Sequence, residues 1–332
     1  MNSGHCVYPT PALPGFPPVV GRFSLRTMFA ISTNWNSRRC RNGEQLVEEA
    51  LSLGFDGLEL GYALAPDLAG GLRRRQNSGD IAIVSVHAYC PVPLEAPGGH
   101  PELHLLADPE EDARMLALLH MTRTLQFAAE MRAGAVVVHA GRVPMRASQH
   151  KITALRQDGI TGGWRYRWIA RRLAGGRERG IEARMSTLRR SLDHLLPLFE
   201  RAGITLCLEN LPSWNALPNA REMEALADEF SGSPLRYWHD LGHGQIRELI
   251  GLEEHFPAAR RLLPLTRGIH IHDVDAGLRD HLAPGKGAMD FSRFAFYGGA
   301  DTIRVLEPGS EVTPGDLQQG LATIKKKWRL DA

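Results

Sequence analysis

The residues with the most chemical promise lie between Gly268 and Phe291, in the stretch GIHIHDVDAGLRDHLAPGKGAMDF. A β-branched apolar run carries His270 and His272 and ends at Asp273. A Gly- and Pro-punctuated loop follows, with Asp280, His281 and Gly285-Lys286-Gly287. Side chains alternate faces along a strand, so the two imidazoles point one way while Ile269 and Ile271 point the other. Such a pair can hold a metal ion, or it can be two hydrogen-bonded structural histidines. The stretch alone leaves both readings open.

The rest of the chain supplies the scaffold. Short apolar runs predict strands at Phe29–Ser32, Gly57–Leu60, Ile81–His87, Ala135–His139, Ile204–Glu209, Leu235–Asp240, Gly268–His272 and Thr302–Glu307. AVVVH is a continuous β-branched run, as expected of a parallel strand buried on both faces. Helical patterns separate the strands. Asn42 with Gln45 three residues on marks one helix start, and Gly54 its stop. Asp108-Pro109-Glu110-Glu111 predicts another start with Asp108 as the cap. A helix closed by Gly203 and a final one over Pro314–Lys327 complete the pattern. Eight strands alternating with helices predict the α/β class and a (β/α)8 TIM barrel as a single domain over residues 28–332. A doubly wound open sheet is the alternative, and no GxGxxG follows the first strand to support it.

Composition narrows the setting. With 332 residues, 43% hydrophobic and 23% charged, the chain has material for a large core. A net charge of +2 marks neither a polyanion binder nor an acidic surface. Cys6, Cys40, Cys90 and Cys207 form no CxxC pair, which fits a reducing cytoplasm rather than a disulfide framework or zinc ribbon. No apolar run is long enough for a membrane span. Residues 1–27, rich in Pro and Gly, are expected to be a disordered or loosely packed tail without the pattern of a signal peptide. Met28 is a candidate natural start.

In a (β/α)8 barrel, chemistry collects where strands end at the C-terminal face. The strand ends here are His87, His139, Glu209, Asp240, His270 and Glu307, each closing an apolar run. Imidazoles and carboxylates so placed suit one divalent ion, zinc, manganese, cobalt or magnesium. A buried polar layer without an ion is the plainer alternative.

The ordered set VSVHAYCP, VVVHAG, LCLENLP, YWHDLGH, GIHIHDV, DHLAPGKGAMDF and VLEP resembles the xylose isomerase-like TIM-barrel superfamily, across nearly the whole span from Phe29 to Trp328. That superfamily includes sugar phosphate isomerases and epimerases, inosose dehydratases and abasic-site endonucleases. The resemblance implies metal ligands at Glu209, Asp240, His270 and Glu307. It implies that His243 lies beside a substrate oxygen or on a further metal. It also puts His87, His139 and His281 at positions that bind extra metal in the endonuclease branch. In that branch an Asp stands two residues before the last of these histidines, where this chain has Arg279; Asp280 is adjacent instead.

The expected activity is metal-dependent isomerisation or epimerisation of a sugar or sugar phosphate, with Glu209 and Glu307 as an acid/base pair flanking the reacting carbon. His87, His139, His243 and His281 are expected against substrate. His272 and Asp273 are expected to orient His270. Trp35 is expected to stack on a sugar face, and Lys286 to meet a phosphate or carboxylate; loop packing and an exposed lysine are the plainer readings. Arg142, Asn210 and Trp214 are further pocket-wall candidates. The alternatives are a zinc-dependent abasic-site endonuclease and a polyol dehydratase on the same site. The segment Trp164–Arg190 carries nine arginines against Glu178 and Glu182. It reads as a solvated helix face, lid or homo-oligomer contact rather than a nucleic-acid surface.

Overall fold

The computed structural model describes residues 28–145, 149–299 and 301–330; the expectation for residues 1–27 lies outside them. Eight parallel strands close a barrel: β1 (Ala30–Ser32), β2 (Gly57–Leu60), β3 (Ala82–His87), β4 (Ala135–Val138), β5 (Thr205–Glu209), β6 (Leu235–Asp240), β7 (Thr266–Ile271) and β8 (Ile303–Leu306). Each pairs with its neighbour in sequence, and β8 returns to β1 through Ala30↔Val305. This is the predicted (β/α)8 architecture. Two short strands, Gly141–Arg142 and Ala216–Leu217, pair antiparallel beside the mouth.

The barrel interior is built in layers. Its lower apolar plug comprises Ala30, Val84, Ala135, Val137, Cys207, Trp238, Ile303 and Val305. Small residues on most strands leave room for one indole, and Gly268 faces it: a Cβ there would run into the Trp238 ring. One strand repeat further on, about 6.6 Å, the same inward rows become ionisable. Val137 gives way to His139, Cys207 to Glu209, Trp238 to Asp240, Gly268 to His270 and Val305 to Glu307. The alternate residues point outward and pack under the helices, among them Leu206, Leu208, Tyr237, Ile269, Ile271 and Leu306. Alternation thus places a dry plug directly beneath a layer of buried acids and imidazoles.

The helices start and stop largely where the sequence signals fall. Asn42 accepts from the Gln45 amide, and Gly203 ends Ile181–Ala202 at a φ of +67°. The start after Asp108 differs. The helix is Glu111–Glu130, with Glu110 as the flanking residue. Asp108 instead accepts from the Glu110 amide at 3.0 Å, a local turn two residues short of the helix. The excursion after β4 forms three helices, His150–Gln157, Gly163–Glu178 and Ile181–Ala202.

Candidate metal centre

Glu209, Asp240, His270 and Glu307 converge: each offers a ligand atom within 4.8 Å of the others, and all four are buried. His270 shows what the arrangement demands. Its Nε2 faces both oxygens of Glu59 at 3.0 and 3.1 Å. A carboxylate only accepts, so Nε2 carries the proton and Nδ1 holds the lone pair in the neutral ring. That Nδ1 looks at Glu209 Oε1 (3.1 Å), Glu307 Oε2 (3.2 Å) and Asp240 Oδ2 (3.7 Å). Three anionic oxygens around one imidazole nitrogen need a cation, either a proton on the ring or a metal ion. The donor set, three carboxylates and one imidazole with no Lys or Arg among them, fits a divalent ion.

The electrostatics say the same. Burial alone would push Glu209 up, but His270, His139 and His87 together hold it well below the usual carboxylate range. Burial opposes the charging of His270, yet Glu307, Glu59 and Glu209 raise it well above an ordinary imidazole. Asp240 lies low as well, because His243 and His272 outweigh its burial. The site is an array of buried, mutually compensated charges.

Further groups hold these four. Ser85 donates to Glu59 at 2.8 Å, fixing the carboxylate behind His270. Asp240 is both a candidate ligand and the cap of the helix Leu241–Leu249, accepting the His243 amide at 2.7 Å. The exposed amides of that helix end favour its negative charge. Asn210 accepts from the Asp240 amide (2.8 Å) and from the Tyr237 hydroxyl (2.9 Å), and donates to the Asp240 carbonyl (2.9 Å). His272 donates through Nε2 to Asp240 at 2.9 Å, while its Nδ1 accepts the His281 amide. His272 therefore orients Asp240 rather than His270. Asp273 does not orient His270 either: it accepts the amides of Val274, Gly285, Gly287 and Met289, and so shapes the loop.

Three histidines surround the centre. His87 and His139 approach Glu209 Oε2, the oxygen that His270 leaves alone, at 3.1 and 3.2 Å. His87 Nδ1 donates to the Ala88 carbonyl, so its Nε2 lone pair also faces an anion. His243 Nδ1 lies 2.9 Å from the Asn210 carbonyl, and burial drives this histidine down to about 4.

Above the layer opens a cavity of about 300 Å³ lined by Tyr62, His87, Glu102, His139, Arg142, Glu209, His243, His281 and Glu307. A second lobe of about 420 Å³ adds Asn34, Arg38 and Arg279, and Asp280 lines both. His281 and Glu307 line both lobes. Arg142, a pocket-wall candidate from the sequence, is there, paired with Glu102 at 2.8 Å. Asn210 serves beneath the wall through the hydrogen bonds above.

Three expected site residues are not brought to the cavity. Trp35 is buried, and its indole donates to the Val312 carbonyl at 2.8 Å, with Arg39 over the ring. Lys286 pairs with Asp316 at 2.6 Å. Trp214 packs beside the helices of the excursion, with Arg177 over its ring. All three lie beyond the strands, whose alternation sets side-chain direction. The arginine-rich excursion is partly consumed by helix packing. Arg177 pairs with Glu222, Arg189 with Glu182 and Glu229, and Arg190 with Glu111. Trp164 and Trp168 remain exposed.

Glu59 was not singled out by the sequence reading. The signal was present, a lone acid inside GLEL, where an inward strand position between leucines should be apolar. Tyr62 and Glu102, on loops, carried no such signal.

The xylose isomerase-like TIM barrel family matches residues 47–297. An uncharacterized protein of Methanocaldococcus jannaschii is 28% identical over 117 residues, 34% of this chain and 42% of that relative. The chain thus matches less than half the length of this curated relative. Among solved structures, the 3-keto-D-glucoside 4-epimerase of E. coli superposes with a TM-score of 0.65 at 17% identity, over 90% of this chain and 99% of that one. A D-tagatose 3-epimerase-like protein superposes with a TM-score of 0.63 at 17% identity, over 91% of this chain and 97% of that one. At such identities the likeness is one of fold. Among the described residues, no helix is long and apolar enough to cross a membrane.

Proposed function

Because the chain belongs to the xylose isomerase-like TIM barrel family, we propose that it is a divalent-metal-dependent isomerase or epimerase of a sugar, sugar phosphate or related polyol. One observation carries the reading: three buried carboxylates from three strands face the lone-pair nitrogen of His270 directly beneath an open cavity. The epimerase names of the structural neighbours point the same way.

Glu209, Asp240, His270 and Glu307 would hold the ion. A divalent ion there supplies Lewis acidity toward a carbonyl and the hydroxyl beside it. Glu307 is the more available of the two candidate acid/base groups. It lines both lobes, and among the described residues its Oε1 accepts from Asn34 at 3.5 Å. Glu209 approaches from the other side of the mouth, with His87 and His139 on its second oxygen to accept or return a proton. Tyr62, Arg142 and His281 are placed to meet the hydroxyls or phosphate of a substrate. We further place the enzyme in the cytoplasm, as a possible homo-oligomer.

A second reading, hydrolysis of a phosphodiester, is favoured by one observation. His87 and His139 both address Glu209 Oε2 while His270 addresses Oε1, so these two histidines with Glu209 would hold a second ion, which would supply further Lewis acidity toward a phosphate. A third ion on His243, His272 and His281 is opposed, because both nitrogens of His272 are already engaged.

Glu209→Gln decides between them. The sugar reading expects the variant to bind one ion fewer than the parent by native mass spectrometry. It also expects the metal-replete parent to introduce solvent deuterium into one member of a sugar panel. Loss of two ions, with hydrolysis of a phosphodiester substrate by the parent and no deuterium uptake, would replace it with the second reading.

A further inference from the structure

A separate cluster joins the segment after β3 to the helix Glu111–Glu130. Glu95, His104 and His120 each offer a ligand atom within 4.8 Å of the others. His120, on the buried face of the helix, puts its Nε2 2.9 Å from Glu95 Oε1. The His104 ring stacks on the His120 ring, with centroids 4.4 Å apart and planes 23° from parallel. Tyr89 meets both rings edge-on, and its hydroxyl donates to the His104 carbonyl at 2.8 Å. His104 Nε2 is buried and has no hydrogen-bond partner among the described residues.

The chemistry of these groups is uneven as it stands. An unpaired buried ring nitrogen has lost its water without gaining a partner. Two stacked imidazoles repel if both are protonated, and desolvation lowers both below an ordinary histidine. As at His270, the His120 Nε2 that faces a carboxylate carries the proton of the neutral ring, and a zinc ion between that nitrogen and Glu95 Oε1 would take the proton's place. The third member is an anionic oxygen whose side chain is 54% exposed, which leaves one side open to water. Two imidazole nitrogens, one carboxylate oxygen and a solvent position make a four-coordinate zinc donor set.

We propose that Glu95, His104 and His120 form a zinc site distinct from the centre at the barrel mouth. Its ion would cross-link the long segment after β3 to the helix that follows. That segment also carries His100, Pro101 and Glu102, which line the smaller lobe of the mouth cavity. The ion would thus fix one wall of the pocket from behind.

The test uses the full chain stripped with a chelator and titrated with Zn²⁺, with bound ions counted by native mass spectrometry. Glu209→Gln should remove ions at the mouth and leave one behind. His104→Gln and His120→Gln should each bind one ion fewer than the parent while keeping the mouth complement. Glu95→Gln changes only the exposed ligand and so protects the test against misfolding. It should weaken the residual site by at least about tenfold, read by competition with a chromophoric chelator in the Glu209→Gln background. Equal ion counts in the parent and both histidine variants, or no ion retained by Glu209→Gln, would overturn the proposal. So would unchanged zinc affinity on Glu95→Gln.

Discussion

Two neighbouring residues of β6, Asp240 and His239, open onto opposite worlds. Asp240 points inward among imidazoles, and His270 beside it is raised well above an ordinary histidine by Glu307, Glu59 and Glu209. His239 points outward into an equally dry place under the helices. There its Nδ1 meets the Tyr297 hydroxyl at 2.7 Å and its Nε2 meets His255 Nε2 at 3.0 Å. Among the described residues no carboxylate forms an ion pair with either ring, and Phe294 packs against both. Burial holds His239 down to about 4 and His255 well below its usual value. Both sites are dry, so desolvation is common to them. The carboxylates in contact with His270, against the weaker pull of Asp240 and Glu253 on His239, decide which imidazole is charged. One strand thus carries a centre ready for cations on one face and a neutral structural network on the other.

The sharpest way to break this contrast is to neutralise the inner site. Asp240→Asn keeps the shape but leaves His272 and His243 without their anion. Breaking such a buried pair should cost about 3–5 kcal/mol, measured as a shift in the urea midpoint, together with loss of bound ion and turnover. Unchanged stability would mean that the inner charges are not compensating each other.

Acid addresses the outer pair. The unfolded chain titrates these histidines near 6.5, whereas His239 in the fold titrates near 4. Between those values the unfolded state binds more protons, so stability is full above about pH 6.5 and falls as the pH drops toward 4. The loss attributable to His239 is up to about 3 kcal/mol. A His239→Phe/His255→Phe double variant should show a shallower acid slope in urea melts from pH 7.5 to 4.5. An identical slope would locate the acid sensitivity elsewhere.

Glu59→Gln sharpens the inner side without touching the four candidate ligands. Losing the anion behind His270 Nε2 should lower divalent-ion affinity about 10–100-fold with the fold intact, as measured by chelator competition. Equal affinity would reduce Glu59 to packing. The mildest change, Tyr297→Phe, removes one neutral hydrogen bond from the outer pair. It should cost about 1 kcal/mol in thermal or urea melts and leave ion binding unaltered.

Much of this was legible from residue order. Period-two alternation placed His270 and His272 inward and Ile269 and Ile271 outward, and the structure agrees. The closing of apolar runs by Glu209, Asp240, His270 and Glu307 marked four side chains that do converge. Trp35 and Lys286, beyond the strands, turned to other partners, and His272, whose direction the strand did set, attends Asp240 rather than His270. Glu59 escaped although the acid between leucines in GLEL was a signal, because its partner His270 lies across the barrel and 211 positions away.

The sequence by itself determined the alternation of strands and helices and which residues face inward, because backbone geometry enforces both locally. Only the tertiary structure decided which oxygen of Glu209 meets which imidazole, that Glu59 backs His270 across the barrel, and that Glu95 reaches His104 and His120. Those pairings depend on barrel closure and loop paths between residues as many as 211 positions apart, and such distances leave no periodic trace in the chain.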